Sequence, residues 1–126
     1  MTIHLDTSVL IDAFCEPFAE LDALEHATAA GHLLRISSPV LFEWLRGPRT
    51  DAELRRQNAF FRVDEALVFD AACARLSAAI YRAIGNPRGR EWDIAIASCA
   101  IEHNASLWTS NVGDFSDIPR LRLYRA

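Results

Sequence analysis

The chain has 126 residues, half of them apolar and a quarter charged, enough at the usual ~150 residues per domain for one compact domain over residues 1–126 with a real core. Seventeen acidic residues outweigh thirteen basic ones, every basic residue is Arg, and the sequence contains no Lys. P-loop nucleotide hydrolysis and Schiff-base chemistry, which need a lysine amine, are therefore excluded, and the formal charge of −4 excludes a protein that coats nucleic acid by bulk charge.

Short apolar runs alternate with longer helical patterns, which predicts an α/β domain with a mostly parallel sheet. Thr2–Leu5 is the first predicted strand, followed by a helix from Ser8 to Phe14. Pro17 marks the start of a helix over Phe18–Ala30 that closes at Gly31. Leu33–Ile36 is a second strand, and Ser38-Pro39 supplies an N-cap and a first-turn proline to a helix that stops at Gly47-Pro48. A helix over Asp51–Phe61, a third strand at Ala66–Phe69 and a helix capped by Asp70 and running to Ile84 come next. Gly85–Gly89 is a loop, Trp92–Asn104 a helix, Ser106–Trp108 a fourth strand and Leu121–Tyr124 a fifth.

Charge is unevenly placed, with −6 over residues 1–34, +4 over residues 35–90 and −2 over residues 91–126. Cys15, Cys73 and Cys99 are odd in number and widely spaced, so they are expected as free thiols, small and buried, in a reducing compartment. The N-terminus has no basic leader, and the longest uncharged apolar stretch, Ile94 to Ile101, is far below the ~18 residues of a membrane span. A cytoplasmic protein with no membrane association is expected.

Sites in open α/β sheets form at the carboxyl ends of strands. Asp6 follows the first strand directly, with Thr7 and Ser8 behind it, and one polar side chain would be enough to cap the next helix. Glu43 falls about 60° from Val40 on the helical wheel, at the edge of an apolar arc. Asp93 projects between Ala97 and Ala100 on a helix that is apolar nearly all round, while Glu91 already serves that helix's dipole. Thr109-Ser110-Asn111-Val112-Gly113-Asp114-Phe115 follows the fourth strand and would read as a plain turn in isolation. Convergence of these four places on one pocket is expected, and converging carboxylates must protonate or find a cation. No His or Cys stands at zinc spacing, so the oxygen donors point to Mg2+ or Mn2+, and His4, His26, His32 and His103 are expected at the surface or in packing.

The runs Leu5-Asp6-Thr7-Ser8-Val9-Leu10-Ile11-Asp12, Glu43 with Leu45-Arg46-Gly47, Asp93-Ile94-Ala95-Ile96-Ala97 with Glu102-His103-Asn104-Ala105-Ser106-Leu107, and Thr109-x-Asn111-x-x-Asp114-Phe115 together resemble the PIN-domain ribonucleases, most closely the VapC toxins of toxin–antitoxin pairs. The resemblance covers essentially the whole chain. It implies a three-layer α/β/α sandwich with a mostly parallel sheet of about five strands, and an Mg2+-dependent endoribonuclease in which Mn2+ substitutes. Asp6, Glu43 and Asp93 match the three core acids; Asn111 occupies the fourth place, with Asp114 close enough to replace it or bind through water. By that resemblance Asp6 and Asp93 hold metal, with Glu43, Asp114 and Ser8 as further candidates. Ser110 stands where many relatives have Arg, so one phosphate contact of the family is missing here.

A toxin of this type implies an RNA substrate, a small VapB-like antitoxin whose tail covers the acidic pocket, and a homodimer. The Arg-rich middle is the candidate RNA surface, with Arg46, Arg49, Arg88 and Arg90 foremost and Arg55, Arg56 and Arg62 behind them; an ordinary solvated helix face is the competing reading. Trp44 and Trp92 flank two of the acids and are expected in the core, with base stacking as the alternative. Haloacid-dehalogenase and receiver domains also place acids at strand ends, but both rely on a Lys, and the former wants a second Asp where Ser8 stands. A PIN nuclease of RNA processing that is not a toxin, and a PIN module that binds RNA or protein without cutting, are the remaining alternatives.

Overall fold

The computed structural model describes all 126 residues. Its centre is a parallel sheet of three strands, β1 (Thr2–Leu5), β2 (Leu33–Arg35) and β3 (Ser106–Trp108), in the order β2-β1-β3. The central strand pairs Ile3 with Leu34 on one side and with Ser106 on the other, and Leu5 with Trp108. Central parallel strands are covered on both faces, and Ile3, His4 and Leu5 are accordingly buried.

Two of the five expected strands shrink to single bridges. Leu67 pairs next to β2, donating to the Ile36 carbonyl at 2.7 Å and accepting from the Ser38 N–H at 2.8 Å. Leu123 pairs beyond β3, where the Leu107 N–H donates to Arg122 and the Tyr124 N–H to Leu107. Each is cut short by its neighbours: Asp70 already caps the helix after Leu67, and Arg120, with φ 69°, turns the chain before Leu121.

Six helices carry the rest: α1 (Thr7–Phe14), α2 (Leu21–Ala29), α3 (Ser38–Arg46), α4 (Asp51–Asn58), α5 (Ala71–Ala83) and α6 (Glu91–Glu102). α1 packs on α2, α3 and α4, whereas α6 packs on α5, α3 and β3, giving the expected α/β/α arrangement with three strands in place of five. None of these helices is long and apolar enough to cross a membrane.

Helix α2 begins at Leu21 rather than Phe18, because Phe18 sits at φ 61° and its N–H closes a turn onto the Cys15 carbonyl at 2.8 Å. Ser37, not Ser38, occupies the N-cap of α3; the Ser38 hydroxyl instead accepts from the Phe69 N–H at 3.1 Å. α4 ends at Asn58, three residues short of the expected boundary, and starts with a capping box in which Thr50 and Glu53 satisfy each other's N–H groups. Asp70 caps α5 as expected, accepting from Cys73 at 3.0 Å.

The core joins Phe14 of α1 to Trp44 of α3, ring centroids 6.0 Å apart and edge-on, with Phe60 and Phe61 beside them. α6 is buried nearly all round through Ile94, Ile96, Ala97, Ser98, Cys99 and Ala100. Cys73 and Cys99 are free and buried, as expected, and Cys15 is half-buried. His4 is a packing residue: its Nε2 accepts the Ser37 N–H at 3.1 Å, and burial, with the charge of His103 as a lesser cause, pushes its pKa down to about 3.

Candidate active site

Asp6 leaves the end of β1 and becomes the N-cap residue of α1, yet its carboxylate makes no capping bond. Both of its side-chain hydrogen bonds fall on Oδ2, from the Ser8 hydroxyl at 2.9 Å and from the Thr109 hydroxyl at 2.8 Å. Oδ1 is left free of them. The three polar residues Asp6, Thr7 and Ser8 therefore serve one another and their neighbours rather than the helix end. Because Leu5 pairs with Trp108, Asp6 and Thr109 emerge side by side from adjacent strands, which is how residues 103 positions apart come into contact.

Glu43, on α3, accepts the Thr7 hydroxyl on Oε1 at 2.6 Å, and its Oε2 lies 4.0 Å from the Arg46 guanidinium. Trp44, buried beside it, anchors the helix that presents it. Asp93 lies in the first turn of α6 and is half-buried. Its carboxyl is pushed up to about 6, first by burial, then by the charges of Asp6, Asp114 and Glu43 in that order; Arg90 acts the other way. Four carboxylates at the ends of β1, α3, α6 and the turn after β3 thus share one neighbourhood.

Around this core runs a chain of hydroxyl contacts. The Ser110 N–H donates to the Ser8 hydroxyl at 3.1 Å, the Ser110 hydroxyl donates to Asp12 at 2.6 Å, and the Asn111 N–H donates to the Thr109 hydroxyl at 3.0 Å. Ser8 is held between Asp6, the Thr109 hydroxyl and the Ser110 N–H. Asn111 and Asp114 are both exposed, in and just before a short 3-10 turn (Val112–Asp114). Thr7, Thr109 and Asp12 lie within the sequence runs expected to converge here but carry no role of their own in the sequence; strand register alone would have placed Thr109 beside Asp6.

The donor set is oxygen throughout and includes a carboxylate oxygen without a protein partner, which suits a hard divalent cation. No three Asp, Glu, His or Cys side chains, as placed, could hold a single ion. Hard divalent ions are commonly held by one or two carboxylates with waters and substrate oxygens completing the shell, so Asp6 and Asp93 are the carboxylates that could hold one, with Glu43, Asp114 and Ser8 as further candidates.

The four foremost arginines differ in their freedom. Arg46 is largely exposed, stacked 5.6 Å over the Phe42 ring, and Arg88 is exposed on the 85–89 loop. Arg49 instead donates to the Trp44 carbonyl at 2.8 Å and covers the Trp44 ring at 4.2 Å. Arg90 is paired with Asp117. Trp44 is in the core as expected, but Trp92 is 40% exposed, its ring 5.8 Å from that of Phe42, because the first turn of α6 projects beyond the layer that buries the rest of the helix.

The PIN domain model matches residues 3–121, so the chain belongs to the PIN-domain family, a family of nucleases. Among solved structures it is similar, at 27% identity over 98% of both chains and a TM-score of 0.74, to a chain of VapBC2 from Rickettsia felis bound to a promoter DNA fragment. The fold is shared with a chain of DNA-bound VapBC from Salmonella typhimurium (24% identity, 98% and 97% of the chains, TM-score 0.73) and with VapBC-5 from Mycobacterium tuberculosis (21%, 99% and 98%, 0.62). No curated relative matches the sequence.

Proposed function

We propose that this PIN domain is an Mg2+-dependent endoribonuclease that hydrolyses RNA phosphodiester bonds and acts as a VapC-type toxin. The observation that carries the reading is Asp93, an acid that burial and three neighbouring carboxylates drive toward its neutral form unless a cation joins them. Bound there, Mg2+ or Mn2+ supplies a Lewis acid for the phosphate and lowers the pKa of a water. Asp6 and Asp93 would hold the ion. Ser8 and Thr109 hold Asp6 through Oδ2 and leave Oδ1 without a protein partner, and Thr7 fixes Oε1 of Glu43, leaving Oε2, which lies 4.0 Å from Arg46, to orient water for in-line attack. Arg46 and Arg88, the two of the four foremost arginines that are exposed and not bound to Asp117 or Trp44, are the phosphate contacts.

Similarity to chains of VapBC complexes supports a small VapB-like antitoxin as partner, and the homodimer and cytoplasmic location belong to the same reading. Purified protein with Mg2+ is expected to cut structured or single-stranded RNA, and Asp6→Asn or Asp93→Asn to abolish cutting while the circular dichroism spectrum stays native. Undiminished cutting by both variants sinks the assigned site. Expression should arrest growth, and co-expression of a cognate VapB-like antitoxin should relieve it; robust RNA cleavage without growth arrest makes the chain an RNA-processing nuclease instead.

A further inference from the structure

Arg90 stands immediately before α6, at its N-cap, where the partial positive charge of the helix end makes a cation unfavourable. Its side chain leaves the helix for the segment after β3. Nη1 donates to Asp117 Oδ2 at 2.8 Å and Nη2 to Asp117 Oδ1 at 2.6 Å, a two-pronged fork, while Nη2 also donates to the backbone carbonyl of Asp114 at 2.8 Å. Gly89, at φ +82°, supplies the turn that brings Arg90 to this position. On the opposite side the same segment is pinned by the buried side chains of Phe115 and Ile118. The short turn that carries Asp114 is thus fixed from inside by two apolar anchors and from outside by one guanidinium. That guanidinium belongs to the residue three positions before Asp93.

We propose that Arg90 and Asp117 form a clamp that sets the Asp114 turn against Asp93, making Arg90 a positioning residue of the acidic site and not a phosphate ligand. The proposal rests on the nuclease reading above only for its kinetic consequence. Three of the five guanidinium N–H groups are committed, so Arg90 cannot offer a fork to phosphate without releasing Asp117 or the Asp114 carbonyl.

The test uses the full chain with Arg90→Gln, Asp117→Asn and the double variant, read three ways. Amide hydrogen exchange over residues 111–117 is expected to accelerate by a similar factor in all three variants, with β1 and the body of α6 unchanged. Mn2+ binding, followed by electron paramagnetic resonance on the protein alone, is expected to weaken in both single variants. This sign is discriminating, because the two substitutions remove opposite charges: a purely electrostatic effect would tighten Mn2+ in Arg90→Gln and weaken it in Asp117→Asn. On RNA, each single variant is expected to lose about tenfold in kcat with KM unchanged, and the double variant to be no worse than either. The proposal is overturned if Asp117→Asn tightens RNA binding while Arg90→Gln weakens it and flattens its salt dependence, or if Mn2+ affinity moves in opposite directions. Should the wild-type chain cut no RNA, the nuclease reading fails, and exchange with Mn2+ binding still decides the clamp.

Discussion

Asp93 holds its proton more tightly in the folded chain than in the unfolded one, with a pKa of about 6 against 3.8. A carboxyl raised in this way adds stability to the metal-free protein below pH ~4 and loses it as pH rises through ~6. The full shift would correspond to about 3 kcal/mol, and partial exposure with solvent screening reduces this to about 1 kcal/mol. Thermal melts without metal are expected to show this contribution declining between pH 4 and 7, and Asp93→Asn to remove it; an unchanged slope in that variant would refute the assignment. Thr109 tests the same pocket from the other side. Thr109→Val keeps the shape but withdraws the donor to Asp6 Oδ2, and cleavage is expected to fall roughly 10–100-fold with little change in the RNA KM. Asp6, Glu43 and Asp93 were legible because each breaks the pattern of its own element, an acid at a strand end, on an apolar edge or in a buried helix. Thr109 and Asp12 break no pattern, and their roles follow only from which side chains the folded backbone brings within reach.

Helix α3 carries Glu43 on one side and Trp44 on the next, so a core residue orients a site residue one position away. Trp44→Ala is expected to cost about 3–5 kcal/mol, because the cavity would open against Phe14 and the Phe60–Phe61 cluster. Trp44→Phe should restore most of the stability in urea melts, and also the activity if Glu43 depends on that anchor. At the exposed start of α4, Thr50→Ala removes one half of the capping box and should lower stability by about 1 kcal/mol with no effect on RNA cleavage. A loss of cleavage in that variant would show α4 to matter beyond scaffolding. Helix positions were legible because capping and proline signals act locally, as at Asp70 and Gly47-Pro48. The expected strands at Ala66–Phe69 and Leu121–Tyr124 were not, since a short β-like run does not reveal how many of its residues the following cap or preceding turn leaves free to pair. The start of α2 was missed for a related reason: Pro17 suits a helix start, but Phe18 in the left-handed region continues the turn instead.

At the scale of the molecule the net charge of −4 is the same size as the charge of the four carboxylates gathered at the site. Asp6, Glu43 and Asp93 account for three of the four excess negative charges, and Asp114 for the fourth, so neutralising the pocket brings the formal total to zero. The remaining positive charge is all arginine, densest between residues 35 and 90, and part of it is spent internally at Arg49, Arg56 and Arg90. RNA affinity should therefore depend on the divalent cation before any chemistry occurs. A unit charge about 4 Å away is worth about 1 kcal/mol in water, or roughly fivefold in affinity. Binding of a cleavage-resistant phosphorothioate RNA, measured by fluorescence anisotropy at constant ionic strength, is expected to tighten by at least about that factor when Mg2+ is added to the wild-type chain. The Asp6→Asn, Asp93→Asn double variant should bind the same RNA more tightly than the wild type without Mg2+ and respond little to its addition. Wild-type affinity indifferent to Mg2+ would mean that the phosphates bind away from the four carboxylates, and the substrate path would then have to be sought elsewhere on the arginine-rich segment.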